Sequence, residues 1–353
     1  MARQLLNPAA VSGLFRRQFE LCEVKKGETI ILLTDNNTSR DRVQAAFAGA
    51  ADLGIDSFEI CLPKAIDLTQ VGNPRPGEAG GLMSALKSAS LLCVFFPPNL
   101  SAWLRECQQA GVRVLSVTDT PDQLQRLQSP PGLKEAVLYA ADRYSKTKTV
   151  PVTNAAGTDL TFTRGKPGDT EVRAYYGMAE KPGRFDQWGF GMIADFPDEL
   201  SANGTVVIQP GDVWILPFVR MVEGEIRLEV RDGFIRKVEG GADARGFREW
   251  LDRNKRSPDD MDPYAVSHLG FGLHPNAHWD RILMYGNSIE DLAVNMRSFS
   301  GNFLFSTGPG LNRRTGGHID MPMCDCTVKL DGDTVVKRGK LVDPKMIVAP
   351  TRP

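Results

Sequence analysis

The chain has 353 residues, 42% hydrophobic and 24% charged, a composition that excludes a fibrous or wholly disordered protein. Its formal net charge is −1, so no basic field gathers nucleic acid or an anionic membrane surface. The length exceeds what one hydrophobic core ordinarily serves and points to two domains.

The opening MARQLLNPAAVSGLFRRQFELC lacks an uninterrupted apolar core of signal-peptide length, and no later run is long enough to span a bilayer. A cytoplasmic protein with neither a membrane nor a nucleic-acid partner is expected. Six cysteines, Cys22, Cys61, Cys93, Cys107, Cys324 and Cys326, are scattered along the chain and read as thiols in that compartment. The C-x-C pair Cys324/Cys326 has no second pair with which to complete a structural zinc site, and packing is its expected role.

In chain order, ETIILLTD (28–35) reads as a buried strand, SRDRVQAAFAGAADLG (39–54) as a helix ended by Gly54, and DSFEICLP (56–63) as a strand. The unit recurs: helix at 80–89, strand SLLCVFF (90–96), helix near 100–111, strand VRVLSV (112–117), then short helices. Strands separated by helical crossovers predict a doubly wound parallel sheet over 1–131. No Gly-rich dinucleotide or triphosphate cradle occurs in this half. A helix at 132–148 leads into β-rich sequence: TDLTFTR (158–164), GTVVIQ (204–209), DVWILPF (212–218) and EIRLEVRDGFIRKVEGG (225–241), where Asp232-Gly233 is a hairpin signal. Residues 132–353 are therefore expected to form a β-rich α+β domain, the whole chain being of the α/β class.

All four histidines, His268, His274, His278 and His318, fall in SHLGFGLHPNAHW (267–279) and TGGHIDMPMCDC (315–326). Such clustering of imidazoles points to metal or acid–base chemistry. On a strand, His318 and Asp320 share a face and can reach one ion. His268, ahead of a Gly-rich turn, is the chosen third ligand. Two imidazoles and one carboxylate form the arrangement that holds non-haem Fe(II) and leaves three positions open. The other reading of H-x-D is a hydrogen-bonded pair without a metal. His274 and His278 would share a helix face, but Pro275 between them argues against a helix, and a loop position is expected for both.

The blocks SHLGFGLHPNAHW, MRSFSGNFLFSTGPG (296–310) and GGHIDMPMCDCTVKLDG (316–332) resemble the 2,5-dihydroxypyridine 5,6-dioxygenase family of ring-opening Fe(II) enzymes. AEKPGRFDQWGFG (179–191), GDVWILPF (211–218) and 225–241 extend the similarity over most of the C-terminal half, but only thinly over the first 130 residues. The resemblance implies iron on His268, His318 and Asp320, a small aromatic substrate, dioxygen as co-substrate and no external reductant. It also implies a pocket near Tyr175, Arg184, Gln187, His274 and Ser306. Loops leaving the carboxyl ends of parallel strands are where such sheets present ligand contacts, and FFPPNL follows the strand SLLCVFF directly, so the segment around Pro97, Pro98 and Leu100 is expected to close one wall. A homo-oligomer is the expected assembly. Three polar groups of that family are absent here: a His is matched near Leu100, a Glu by Tyr175 and a His by Gln187. Those groups are thought to hold the hydroxypyridine and move its protons, so their loss bears on substrate choice rather than on the metal.

The fold also resembles the aminopeptidase T group of metallopeptidases, where a Glu for a dinuclear site typically stands at the place of His268. A metallohydrolase cleaving an amide or lactam is therefore the alternative, with Glu223, Glu225, Asp325 and Asp331 as spare carboxylates in no recognisable spacing. A catalytically inert binding protein on the same scaffold is the third reading.

Overall fold

A computed structural model describes residues 6–63, 80–98, 101–164, 172–215, 218–282 and 296–351. The chain folds as two units, Met1–Ser129 with Tyr175–Phe190, and Pro130–Ala174 with Gly191–Thr351.

In the first unit, five strands run in the order Asp56–Leu62, Thr29–Asp35, Leu91–Val94, Arg113–Ser116 and Phe185–Gln187, each parallel to its neighbour. Thr29–Asp35 is buried at every position after the first, as a central strand covered on both faces must be. One face packs under Phe15, Phe19, Val43 and Trp188, and the other under Leu86, Trp103 and Leu104. The helix Arg40–Asp52 stops where Gly54 takes a φ of 67°, as its sequence implied. The fifth strand comes from FDQ, inside the 179–191 block, a segment that carried no strand signal.

In the second unit, the Asp232-Gly233 turn is left-handed at both residues (φ 50° and 72°) and joins Ile226–Arg231 to Phe234–Gly240. This hairpin opens an eight-stranded antiparallel sheet that continues through Asn203–Ile208, Asp159–Thr163 and Thr149–Thr153. A five-stranded sheet carries the site. Its first four strands, in order, are Ile319–Met323, Phe303–Thr307, Leu269–Gly272 and Met192–Asp195, all antiparallel. Two expectations are corrected here. Among the described residues of DVWILPF, strand pairing is confined to Val213–Trp214, after which the Ile215 amide donates to the Asp320 carbonyl at 2.9 Å. The Gly-Phe-Gly after His268 is a strand interior, not a turn. No helix among the described residues is long and apolar enough to cross a membrane.

Candidate metal centre

His268 immediately precedes Leu269–Gly272, His318 immediately precedes Ile319–Met323, and Asp320 lies within the latter strand. The strand between them, Phe303–Thr307, sets their spacing. Its Ser306 stands opposite Asp320 and accepts the Ser267 amide at its carbonyl, and its hydroxyl donates to the His268 carbonyl at 2.5 Å. Thr307 then fixes the other imidazole, because its carbonyl accepts from His318 Nδ1 at 2.7 Å. A proton on Nδ1 leaves Nε2 as a free lone pair. The Ser267 hydroxyl donates to the Pro309 carbonyl and can accept from His268 Nδ1 at 3.5 Å, which favours the same tautomer there.

One ligand atom from each of His268, His318 and Asp320 falls in a group with no separation above 4.8 Å. Asp320 Oδ1 lies 3.2 Å from His268 Nε2 and 3.4 Å from His318 Nε2. Neither contact has hydrogen-bond geometry, so this buried oxygen has no hydrogen-bond partner. Ligands about 2.1 Å from an ion and at right angles to one another stand about 3 Å apart; the two Asp320–imidazole separations approach this, and the three acceptors converge closely enough to hold one cation. Burial opposes the charge on Asp320, but Arg297, His318 and His268 together outweigh it and hold the carboxyl below the usual carboxylate range. Burial pushes the His318 imidazole down to about 4, against the pull of Asp320, so it is neutral and ready to ligate at pH 7.

The remaining candidates fall in different places. Ser306 is buried and committed to the His268 carbonyl. His274 is buried outside the three-ligand group, and its Nδ1 accepts the Asn276 amide at 3.2 Å. It lies in no helix, and its backbone bridges to Phe299. Tyr175, Arg184 and Gln187 belong to the first unit. Tyr175 meets the rings of Phe185 and Phe190, and Gln187 Nε2 donates to the Thr118 hydroxyl at 2.9 Å. Arg184 stacks over Tyr176 at 3.8 Å and pairs with Asp186 at 2.5 Å. Leu100 lies outside the described residues. Cys324 Sγ contacts the Gly211 carbonyl at 3.7 Å, and Cys326 is buried. Asp331 accepts the amides of Lys148 and Thr149.

The sequence reading missed Arg297. It is buried, its Nε donates to Asp320 Oδ2 at 2.7 Å, and its Nη2 lies 2.5 Å from the same oxygen as the closest contact of the ion pair. Its one signal was a cation inside the 296–310 block.

A cation bound only by the folded site must stabilise it. Adding Mn(II) at about 100 times its dissociation constant should raise the unfolding free energy by about 2.7 kcal/mol, seen as a higher melting temperature. His318→Ala should lose that gain; an unchanged melting temperature in the parent protein would count against the site.

The family model described as 2,5-dihydroxypyridine 5,6-dioxygenase matches residues 10–343. The 2,5-dihydroxypyridine 5,6-dioxygenase of Pseudomonas putida is 30% identical over 350 residues, covering 96% of this chain and 97% of that protein. The solved 2,5-dihydroxypyridine dioxygenase of Pseudomonas putida KT2440 superposes with a TM-score of 0.87 at 28% identity, over 97% of this chain and 99% of that one. AmpT of Thermus thermophilus, with a TM-score of 0.62 at 13% identity over 95% and 99% of the two chains, shares the fold. Agreement of sequence and fold over nearly the whole length leads to one conclusion: the chain belongs to the 2,5-dihydroxypyridine 5,6-dioxygenase family.

Proposed function

We propose that this chain is an Fe(II)-dependent ring-cleaving dioxygenase acting on a hydroxylated pyridine or a related aromatic ring, with the iron on His268, His318 and Asp320. The observation that carries the reading is the convergence of two imidazole Nε2 atoms on an Asp320 oxygen that has no other partner. When bound, ferrous iron supplies the electron exchange between an aromatic ring and dioxygen that side chains alone do not provide. The protein's residues do the rest. Ser306 and Thr307 hold the two imidazoles through the His268 carbonyl and His318 Nδ1. Arg297 balances the charge of Asp320. Phe196, edge-on to His268 with ring centroids 6.1 Å apart, gives that side of the imidazole an apolar neighbour. A cytoplasmic setting is part of the proposal, and the six unpaired thiols fit it. The metallohydrolase alternative gains nothing from the geometry: among the described residues, the metal-competent group is this one of three, with no second set of carboxylates beside it.

The test is oxygen uptake by anaerobically Fe(II)-reconstituted protein, screened against hydroxylated pyridines and aromatic hydroxy acids. Turnover without oxygen, supported by two zinc or manganese ions per chain, would overturn the reading. Substrate preference is a further expected outcome. The family's ionisable groups that the resemblance matches with Leu100, Tyr175 and Gln187 are absent, and losing a general acid–base group costs about 10²–10⁴-fold in rate. 2,5-Dihydroxypyridine should therefore turn over at least about 10²-fold more slowly than with an enzyme that keeps those groups. A ring with a more apolar substituent should do better. A rate equal to that of such an enzyme would show that these positions do not carry the assigned roles.

A further inference from the structure

We propose that Arg297 makes Asp320 a one-oxygen ligand, and thereby sets how many positions on the metal stay open for substrate and dioxygen. The inference rests on the metal reading above and adds the binding mode of its carboxylate.

A carboxylate can offer a cation one oxygen or both, and the choice depends on what else holds each oxygen. The two oxygens of Asp320 differ sharply. Oδ2 accepts a charge-assisted hydrogen bond from Arg297 Nε at 2.7 Å and has Nη2 of the same guanidinium 2.5 Å away in an ion pair. Oδ1 has no hydrogen-bond partner and faces the Nε2 atoms of His268 and His318 at 3.2 and 3.4 Å.

Neither partner is free to turn. Arg297 is buried, and its carbonyl accepts the Asn302 amide group at 2.9 Å, which anchors its backbone. The Asp320 main chain is held from both sides, by Ser306 in the neighbouring strand and by the Ile215 amide at 2.9 Å. Rotating the carboxylate to present both oxygens would break the charge-assisted hydrogen bond from Nε and pull Oδ2 out of the buried ion pair with the guanidinium. Asp320 therefore gives the ion Oδ1 alone. On a six-coordinate metal, two imidazoles and one oxygen leave three positions open, whereas a two-oxygen Asp320 would leave two. Arg297 is thus a positioning residue that acts through Asp320.

The probe is Mn(II) alone, with no substrate and no turnover. Exchangeable waters on the ion are counted by electron paramagnetic resonance in oxygen-17 water, and affinity is measured on the same samples. Wild-type protein should show three waters. Arg297→Met should still bind Mn(II) but show two waters, because the released Oδ2 joins the ion. Arg297→Lys, whose ammonium can still occupy Oδ2, should restore three. A merely structural role would weaken Mn(II) binding in both variants with the water count unchanged. That result, or three waters in Arg297→Met, overturns the proposal. Should Arg297→Met fail to fold by circular dichroism, the wild-type count still decides, since two waters there refutes a one-oxygen Asp320. Failure of the wild-type protein to bind Mn(II) would sink the metal reading with it, whereas a wrong water count sinks the Arg297 assignment alone.

Discussion

Asp320→Ala, His268→Ala and His318→Ala should each abolish bound iron and turnover, and the three variants should differ in how much stability they lose. Changing partners that only orient ligands typically costs 10–100-fold in metal affinity, so removing a ligand from a set of three should cost more than about 100-fold. Asp320→Ala goes further, because it leaves Arg297 buried without its carboxylate. Breaking a buried pair from one side costs about 3–5 kcal/mol, so this variant should be destabilised by that amount even with no metal present. His318→Ala deletes a neutral imidazole whose Nδ1 bonds the Thr307 carbonyl, a loss of about 1–3 kcal/mol. Asp320→Glu should keep the pairing charge but fail to bind metal, since a longer arm moves the oxygen beyond the roughly 0.2 Å tolerance on coordination distances. Elemental analysis gives occupancy, and urea unfolding of metal-free protein gives stability. Full iron occupancy in any of the alanine variants would remove that residue from the site.

The four sequential strands of the parallel sheet were legible because each is an apolar run of strand length between helical segments. Burial on both faces writes such runs into Thr29–Asp35, Leu91–Val94 and Arg113–Ser116, whereas the edge strand Asp56–Leu62, exposed or half-buried at most positions, shows through its placement between a Gly-ended helix and the next segment. Phe185–Gln187 was not legible: it has three residues, two of them polar, and its place is set by the edge that Arg113–Ser116 offers rather than by its own pattern. His268, His318 and Asp320 could be named because histidines are few and H-x-D shares a strand face. Arg297 could not, since nothing in local periodicity says that a cation must meet a carboxylate 23 positions away. Ser306 shows the limit from the other side. A serine in a matched block suggests a pocket, but its hydroxyl serves the His268 carbonyl, a contact that exists only once the strands pair.

Gly270→Ala should cost both stability and metal binding, although the residue ligates nothing. Glycine inside a strand often marks a close approach by another backbone, and here the approach is measurable. A Cβ on Gly270 would sit 1.9 Å from the Ile193 carbonyl oxygen and 2.9 Å from the Ala194 Cα. On Gly272 it would sit 2.3 Å from both the Phe299 carbonyl oxygen and the Asn302 side-chain nitrogen. The Gly270 obstacle is backbone, so a methyl group must drive Leu269–Gly272 and Met192–Asp195 apart by about 1 Å, several times the roughly 0.2 Å that coordination tolerates. His268 is two residues away on the moved strand, so its Nε2 shifts relative to Asp320 Oδ1. Overpacking of this kind costs about 1–3 kcal/mol, sometimes more, and Mn(II) affinity should fall with it. Gly13→Ala is the control, because a Cβ there meets nothing within 4 Å and alanine is the better helix former inside the helix Pro8–Leu21, so its stability should not fall below that of the parent protein. Urea unfolding and Mn(II) titration decide the matter: parental values for both in Gly270→Ala would show that strand spacing at this glycine does not set the position of His268.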